Sequence, residues 1–231
     1  MRLFVDSADQ KQIEYWLQQG VVDGVTTNPS IMFKDGVTEL EEGARRIATL
    51  LGERPLSVEV TSNDREIMLE QARTFATWAR NIVIKIPIVN ESGESCLGVM
   101  HQLSQEGIGV NATAILSFNQ AILAAKAGAT YVSIFAGRVA DEGNDPAIVI
   151  GNVRRWLDDW GLSAHIIVGS IRTVMDIQNA ALAGTHIVTV PPQFLPKMVD
   201  HRYSRETVRQ FVQDAEKTMS QMAKARAAGT Q

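Results

Sequence analysis

Eight short runs rich in β-branched residues recur along the 231-residue chain, separated by segments whose apolar residues return at helical spacing. The runs are RLFVD (2–6), GVTT (24–27), LSVEV (56–60), IVIKIP (82–87), IGVNAT (108–113), TYVSIF (130–135), HIIVGS (165–170) and HIVTV (186–190). Between them lie the apolar series Ile67, Ala72, Phe75, Ala79 and the Ala-rich FNQAILAAKAGA, which Gly128 closes as a helix C-terminus. Strand–helix alternation predicts a parallel sheet, and eight units are the number that closes a (β/α)8 TIM barrel; an open doubly wound sheet is the alternative. No solenoid-type repeat, low-complexity segment or linker divides the chain, so one α/β domain over 1–231 is expected. A surplus helix is expected at about 204–225, with Val208, Phe211, Val212, Ala215, Met219 and Met222 on one apolar stripe.

Side chains alternate between the two faces of a strand, so each run has a face toward the helices and a face toward the barrel lumen. In NIVIKIP, Ile82, Ile84 and Ile86 share one face; Val83, Lys85 and Pro87 share the other. Lys85 therefore belongs in the lumen, where an ammonium group is costly unless it is paired or gives up its proton. Asp6 ends the first run, Thr26 and Asn28 the second, and Glu59 stands next to last in the third. Asn111 and Thr113 share a face of the fifth, Ser133 and Phe135 a face of the sixth, and Ser170 ends the seventh with Arg172 just beyond. Seven of the eight runs thus carry polar side chains at their carboxyl ends, the end where barrel enzymes build their sites.

Composition narrows the classes. With 45% hydrophobic and 21% charged residues the chain has the profile of a soluble globular protein, and a net charge of −4 argues against nucleic-acid or anionic-membrane partners. The single Cys96 permits no internal disulfide, the amino terminus lacks a signal-peptide core, and no apolar run reaches the length of a membrane span. A cytoplasmic protein is expected. No two of the four histidines share a metal-ligand spacing, and no dinucleotide or P-loop fingerprint occurs, so no metal or other cofactor is expected. His165 and His186 open their strands, at the face that serves stability; Met68, Met100, Met175 and Met198 read as core filler.

A lumen lysine is either half of a structural ion pair with Asp6 or Glu59, or a nucleophile. An unprotonated amine attacks a carbonyl; the resulting iminium draws electrons and lets the bond between the α and β carbons break. Such chemistry needs a carboxylate to take the hydroxyl proton and a second group to handle water, roles open to Asp6 and Glu59, while Asn28, Asn111 and Thr113 are placed to hold sugar hydroxyls or a water. Arg138 after the sixth run, with Ser170 and Arg172 after the seventh, suggests an anion-binding end.

The stretches FVDSAD, GVTTNPSI, LSVEV, IVIKIPI, GVNATAILSFNQAILAAKAGATYVS, FAGR and GSIR resemble the transaldolases, specifically the small branch that includes the fructose-6-phosphate aldolases, over nearly the whole chain. The resemblance implies a (β/α)8 barrel and a Schiff base on Lys85. It also implies a catalytic aspartate at Asp6, a catalytic glutamate at Glu59 and a water-positioning threonine at Thr113. Asn28 and Asn111 become substrate contacts, with Thr26 on the same strand end as Asn28. Arg138 and Arg172 become phosphate ligands, with Ser170 beside the latter and Ser133 and Phe135 in the pocket. It further implies a homo-oligomer, a pentamer or a decamer of two pentamers.

Two departures stand out: Ile134 replaces the proline usual in this family's SPF, and Ala112 replaces the valine of NVT. Neither is an acid, base or nucleophile. The reaction expected is transfer of a dihydroxyacetone unit from a ketose phosphate to an aldose phosphate. The alternatives are direct aldol cleavage, a sugar sulfonate such as sulfofructose as substrate, or a catalytically inactive sugar-phosphate-binding barrel. The aldolase members carry glutamine where Glu59 stands and tyrosine where Phe135 stands.

Overall fold

The computed structural model describes residues 1–228. Eight strands, β1 (Arg2–Asp6), β2 (Gly24–Thr26), β3 (Leu56–Glu59), β4 (Ile82–Pro87), β5 (Val110–Ile115), β6 (Tyr131–Phe135), β7 (His165–Gly169) and β8 (Ile187–Val190), pair in sequence order. Every pairing is parallel, and β8 closes on β1 through Arg2↔Ile187 and Val5↔Val190. The closed ring replaces the open-sheet alternative. Between the strands lie α1 (Gln10–Gln18), α2 (Pro29–Lys34), α3 (Leu40–Leu51), α4 (Arg65–Ala76), α5 (Leu97–Gln105), α6 (Phe118–Lys126), α7 (Ala136–Asp141), α8 (Pro146–Asp159) and α9 (Val174–Leu182).

Local sequence explains where the helices start. Asp9, Asn28, Asp64, Ser117, Asp145 and Thr173 each stand just before a helix, and each side chain accepts a backbone N–H of the first turn. Such a cap contributes about 1 kcal/mol. Gly128, past the end of α6, has φ of +97°, a conformation that glycine takes without a Cβ penalty. Residues up to Pro192 form one compact unit. A second begins at Gln193 and holds α10 (Leu195–Val199) and α11 (Arg202–Ala228), the surplus helix, none of whose residues is buried.

Alternation along the strands stacks the lumen in tiers. Phe4, Val83, Tyr131, Ile167 and Ile187 form a buried apolar plug. Phe4 fills its part of the plug only because its neighbour across the sheet is Gly24, where a Cβ would stand 2.7 Å from the ring. One alternation step further along the same five strands come Asp6, Lys85, Ser133, Gly169 and Thr189. The plug thus closes one end of the lumen and makes a dry floor for whatever lies above it.

Some details differ from the periodicity reading. Ile67 is 47% exposed, and the buried face of α4 is Met68, Leu69, Ala72 and Phe75, with Ala79 beyond the helix end. Three consecutive apolar residues, Ile67 to Leu69, made the stripe ambiguous by one position. Met68 and Met100 are core residues, whereas Met175 and Met198 are exposed. β5 runs on to Ile115, with a register shift between Ala112 and Ile115 and Ala114 at φ of +59°. Among the described residues no helix is long and apolar enough to cross a membrane.

His165 and His186 meet at the amino-terminal end of the barrel, ring centroids 4.8 Å apart and nearly perpendicular. His186 Nδ1 accepts the Ile166 N–H at 3.0 Å, which requires that nitrogen unprotonated. Burial, then the charges of Arg154 and His165, push the His186 pKa down to about 4; burial also lowers that of His165. A folded-state pKa below the unfolded value of 6.5 means the unfolded chain binds the extra proton. This contribution to stability is complete above pH 6.5 and is lost as pH falls toward about 4. In thermal melts across that range, His186→Asn, whose amide oxygen still accepts the Ile166 N–H, is expected to flatten the decline in Tm. Parallel curves for the two proteins would show that His186 does not carry the acid sensitivity.

Candidate active site

Lys85 lies 6% exposed in the lumen, above the plug. Its Nζ donates to the Thr27 carbonyl oxygen at 2.9 Å and stands 2.9 Å from Glu59 Oε2. The strand register makes this pairing: Glu59 is opposite Lys85 in the β3–β4 ladder, and Lys85 is opposite Asn111 in the β4–β5 ladder. A desolvated ammonium needs such partners, and these two leave one of its three N–H bonds for the space above.

That space is a cavity of about 210 Å³ at the carboxyl ends of the strands. All the side chains singled out from the sequence line it except Glu59, which reaches the site through Lys85, and Arg172. Hydrogen bonds fix the polar walls. Asn111 donates to Ser57 Oγ at 3.0 Å and accepts from Ser133 Oγ at 2.7 Å, all three being buried. Asn28 caps α2 through its Oδ1, which accepts the Ile31 N–H at 2.8 Å and leaves the amide nitrogen as a donor for the cavity. Thr113 Oγ1 is buried without a partner among the described residues, so its donor and acceptor capacity is open to the cavity. The strained Ala114 follows it directly, at the point where β5 shifts register.

Asp6 accepts from Thr26 Oγ1 at 2.6 Å. The Thr26 hydroxyl proton is used there, so at the 2.6 Å contact with Thr189 Oγ1 the donor is Thr189. Desolvation raises the Asp6 pKa from its ordinary value against the lowering effect of Thr26 and of the Lys85 charge. The site therefore holds one carboxylate in contact with the amine and another made more basic by burial.

At the other side, Arg138 and Ser170 line the cavity, and the charge of Arg138 also acts on the Asp141 carboxylate. Ser170 has φ of +59° and accepts the Gly137 N–H with its carbonyl at 3.2 Å. Arg172 lies outside the cavity lining, its guanidinium paired with both oxygens of Asp141.

Three neighbours escaped the sequence reading. Thr189 lines the cavity, so strand eight also brings a polar group; alternation from Ile187 points to it. Ser57 shares its strand face with Glu59, and the same rule finds it. Thr27 contributes a backbone oxygen, for which no side-chain signal exists.

A lysine on the fourth strand of a parallel barrel, with two carboxylates beside it at the carboxyl-terminal mouth, is the arrangement of a barrel enzyme site. The family described as Transaldolase/Fructose-6-phosphate aldolase matches residues 3–229, and the chain belongs to that family. Probable transaldolase 2 of Listeria monocytogenes is 41% identical over 216 residues, covering 94% of this chain and 96% of the relative. A probable transaldolase of Dehalococcoides mccartyi is 38% identical over 214 residues, covering 93% and 97%. Thiamine phosphate pyrophosphorylase from Pyrococcus furiosus superposes with a TM-score of 0.56 at 10% identity, covering 82% of this chain and 85% of that one. Inosine 5' monophosphate dehydrogenase from Legionella pneumophila gives 0.57 at 13%, covering 83% and 58%. At such identities these two structures share the fold alone.

The raised pKa of Asp6 has a consequence for stability. A carboxyl whose folded pKa exceeds its unfolded value disfavours folding once pH passes above the unfolded value, so the ionised group costs stability at neutral pH. Asp6→Asn keeps an oxygen for Thr26 and removes the charge. Its Tm at pH 7 is expected to exceed that of the native protein, with the gap closing as pH drops below the carboxylate range. A lower Tm at pH 7 would mean that Thr26 and Lys85 more than repay the burial.

Proposed function

We propose that the protein is a Schiff-base transaldolase that moves a dihydroxyacetone unit from a ketose phosphate, such as fructose 6-phosphate, to an aldose phosphate. The observation that carries this reading is the buried Lys85 amine, in contact with Glu59 and facing a polar cavity at the barrel mouth. Family membership and relatives named probable transaldolase support an enzyme of this class.

In this reading Glu59 takes the ammonium proton, and the free Lys85 amine attacks the ketone carbon of the donor. The carbinolamine oxygen leaves as water, with Glu59 and a water held at Thr113 carrying the protons. Asp6, made more basic by burial, removes the proton from the hydroxyl on the β carbon, and the bond between the α and β carbons breaks. An aldose phosphate departs and an enamine stays on Lys85. The enamine adds to the aldehyde carbon of the acceptor, Asp6 returns its proton to the new alkoxide, and water releases the longer ketose. Thr26, Asn28, Asn111 and Ser133 hold hydroxyl groups along the cavity wall, Phe135 shields the enamine, and Arg138 with Ser170 and Arg172 receives the terminal phosphate or a sulfonate of like charge. No metal or other cofactor enters these steps. A homo-oligomer belongs to the same proposal, and the particle mass in solution, a multiple of the chain or the chain alone, decides it.

Transfer rather than release follows from Phe135. Release of free dihydroxyacetone needs a proton donor and an ordered water at the enamine carbon, and a phenyl ring supplies neither, so the enamine waits for an aldehyde. The test is incubation with fructose 6-phosphate, with and without erythrose 4-phosphate, following both free dihydroxyacetone and the seven-carbon product. The transferred product is expected to form faster than dihydroxyacetone is released from donor alone, and Phe135→Tyr to raise the release. Equal rates of release and transfer in the native protein would replace the transaldolase reading with direct aldol cleavage.

A further inference from the structure

We propose that Asp141 is a positioning residue for the anion end of the site: it holds the Arg172 guanidinium by its two terminal nitrogens so that the Nε–H edge stays beside the Ser170 hydroxyl at the cavity rim. The proposal rests on the phosphate-binding reading given above and adds a residue that does not itself touch the substrate.

The geometry comes from the six-residue α7, which starts as β6 ends and lies against the loop that follows β7. Gly137 donates its N–H to the Ser170 carbonyl. A Cβ on Gly137 would collide with that same carbonyl and would stand 2.8 Å from both Ser170 Oγ and Arg172 Nε. Ser170 Oγ and Arg172 Nε therefore flank one point above Gly137, and only glycine leaves that point open. Ser170 also lines the cavity, as does Arg138, the residue after Gly137. The point is thus at the edge of the space where the donor is placed.

Arg172 is fixed at both ends. Asp176 Oδ2 accepts the backbone N–H groups of Arg172 and Thr173, each at 2.8 Å. Asp141 Oδ1 and Oδ2 accept from Nη1 and Nη2. Those bonds engage both terminal nitrogens and leave Nε–H, on the side of Gly137 and Ser170, among the three N–H donors still free of Asp141. The hydrogen bond from Arg172 holds the Asp141 carboxyl below its ordinary range, so the pair persists across neutral pH. Half of each side chain is exposed, and an ion pair so exposed adds little to stability. What it does supply is order: a long, rotamer-rich side chain is already in place before an anion arrives, which lowers the cost of binding one.

The experiment compares the native protein with Asp141→Ala, Asp141→Glu, Arg172→Ala and the Asp141→Ala/Arg172→Ala double variant. KM and kcat are measured with fructose 6-phosphate and with unphosphorylated fructose, and the dissociation constant of inorganic phosphate by calorimetry. Asp141→Ala is expected to raise KM for fructose 6-phosphate and the phosphate dissociation constant together, by roughly two- to fivefold. The effect is expected to be absent with fructose, partly restored in Asp141→Glu, and lost once Arg172 is already alanine. Three results would overturn the proposal: tighter phosphate binding in Asp141→Ala, equal losses with both sugars, or a full additional loss in the double variant. If the native protein neither transfers nor releases a dihydroxyacetone unit, the functional reading fails, while the phosphate titration still decides the role of Asp141.

Discussion

The contact between Lys85 Nζ and Glu59 Oε2 in the barrel lumen sets the terms for the rest of the molecule. An ammonium group among isoleucines and valines is unfavourable by several kcal/mol without partners, and the barrel supplies them from two neighbouring strands: a carboxylate from β3 and a carbonyl from the end of β2. Both depend on register. A slip of one residue between β3 and β4 would turn Glu59 toward the helices and leave the lysine unpaired, so the ion pair and the hydrophobic pattern select the same alignment.

The tiers above and below that contact divide two tasks. The plug of Phe4, Val83, Tyr131, Ile167 and Ile187 excludes water from beneath and supplies apolar burial, while the next position on the same strands is given to the site. The polar tier is held by a network in which Asn111, Ser57 and Ser133 satisfy one another, and Thr189, Thr26 and Asp6 form a second chain. Groups so connected keep one geometry, which is what a site for a small polar substrate requires. The two non-glycine residues with positive φ among the described residues, Ala114 and Ser170, adjoin or belong to the cavity lining, so backbone strain also gathers at the site.

Much of this was legible in the chain itself because it depends on short-range rules. Period-two alternation placed Lys85, Asn111 and Ser133 in the lumen before any pairing was known, and the eight-fold strand–helix pattern implied closure. The same rule would have found Thr189 and Ser57. The parts that stayed hidden depend on distance along the chain or on backbone atoms. Thr27 acts through its carbonyl, and Arg172 meets Asp141 because the pairing of β6 with β7 brings α7 beside the loop after β7. From sequence Arg172 reads as a residue of the anion pocket; in the structure it lies outside the cavity lining, with its terminal nitrogens paired to Asp141. The α4 stripe is ambiguous in sequence for a different reason, since three adjacent apolar residues fit more than one helical face.

Covalent trapping decides whether the Lys85 amine is the nucleophile. The native protein is incubated with fructose 6-phosphate and borohydride, with and without EDTA, and then digested and mapped by mass spectrometry. The expected result is one reduced three-carbon fragment on the peptide that contains Lys85, loss of activity in proportion to its formation, and no effect of the chelator. A fragment on another lysine, or full activity after reduction with no fragment at Lys85, would contradict it.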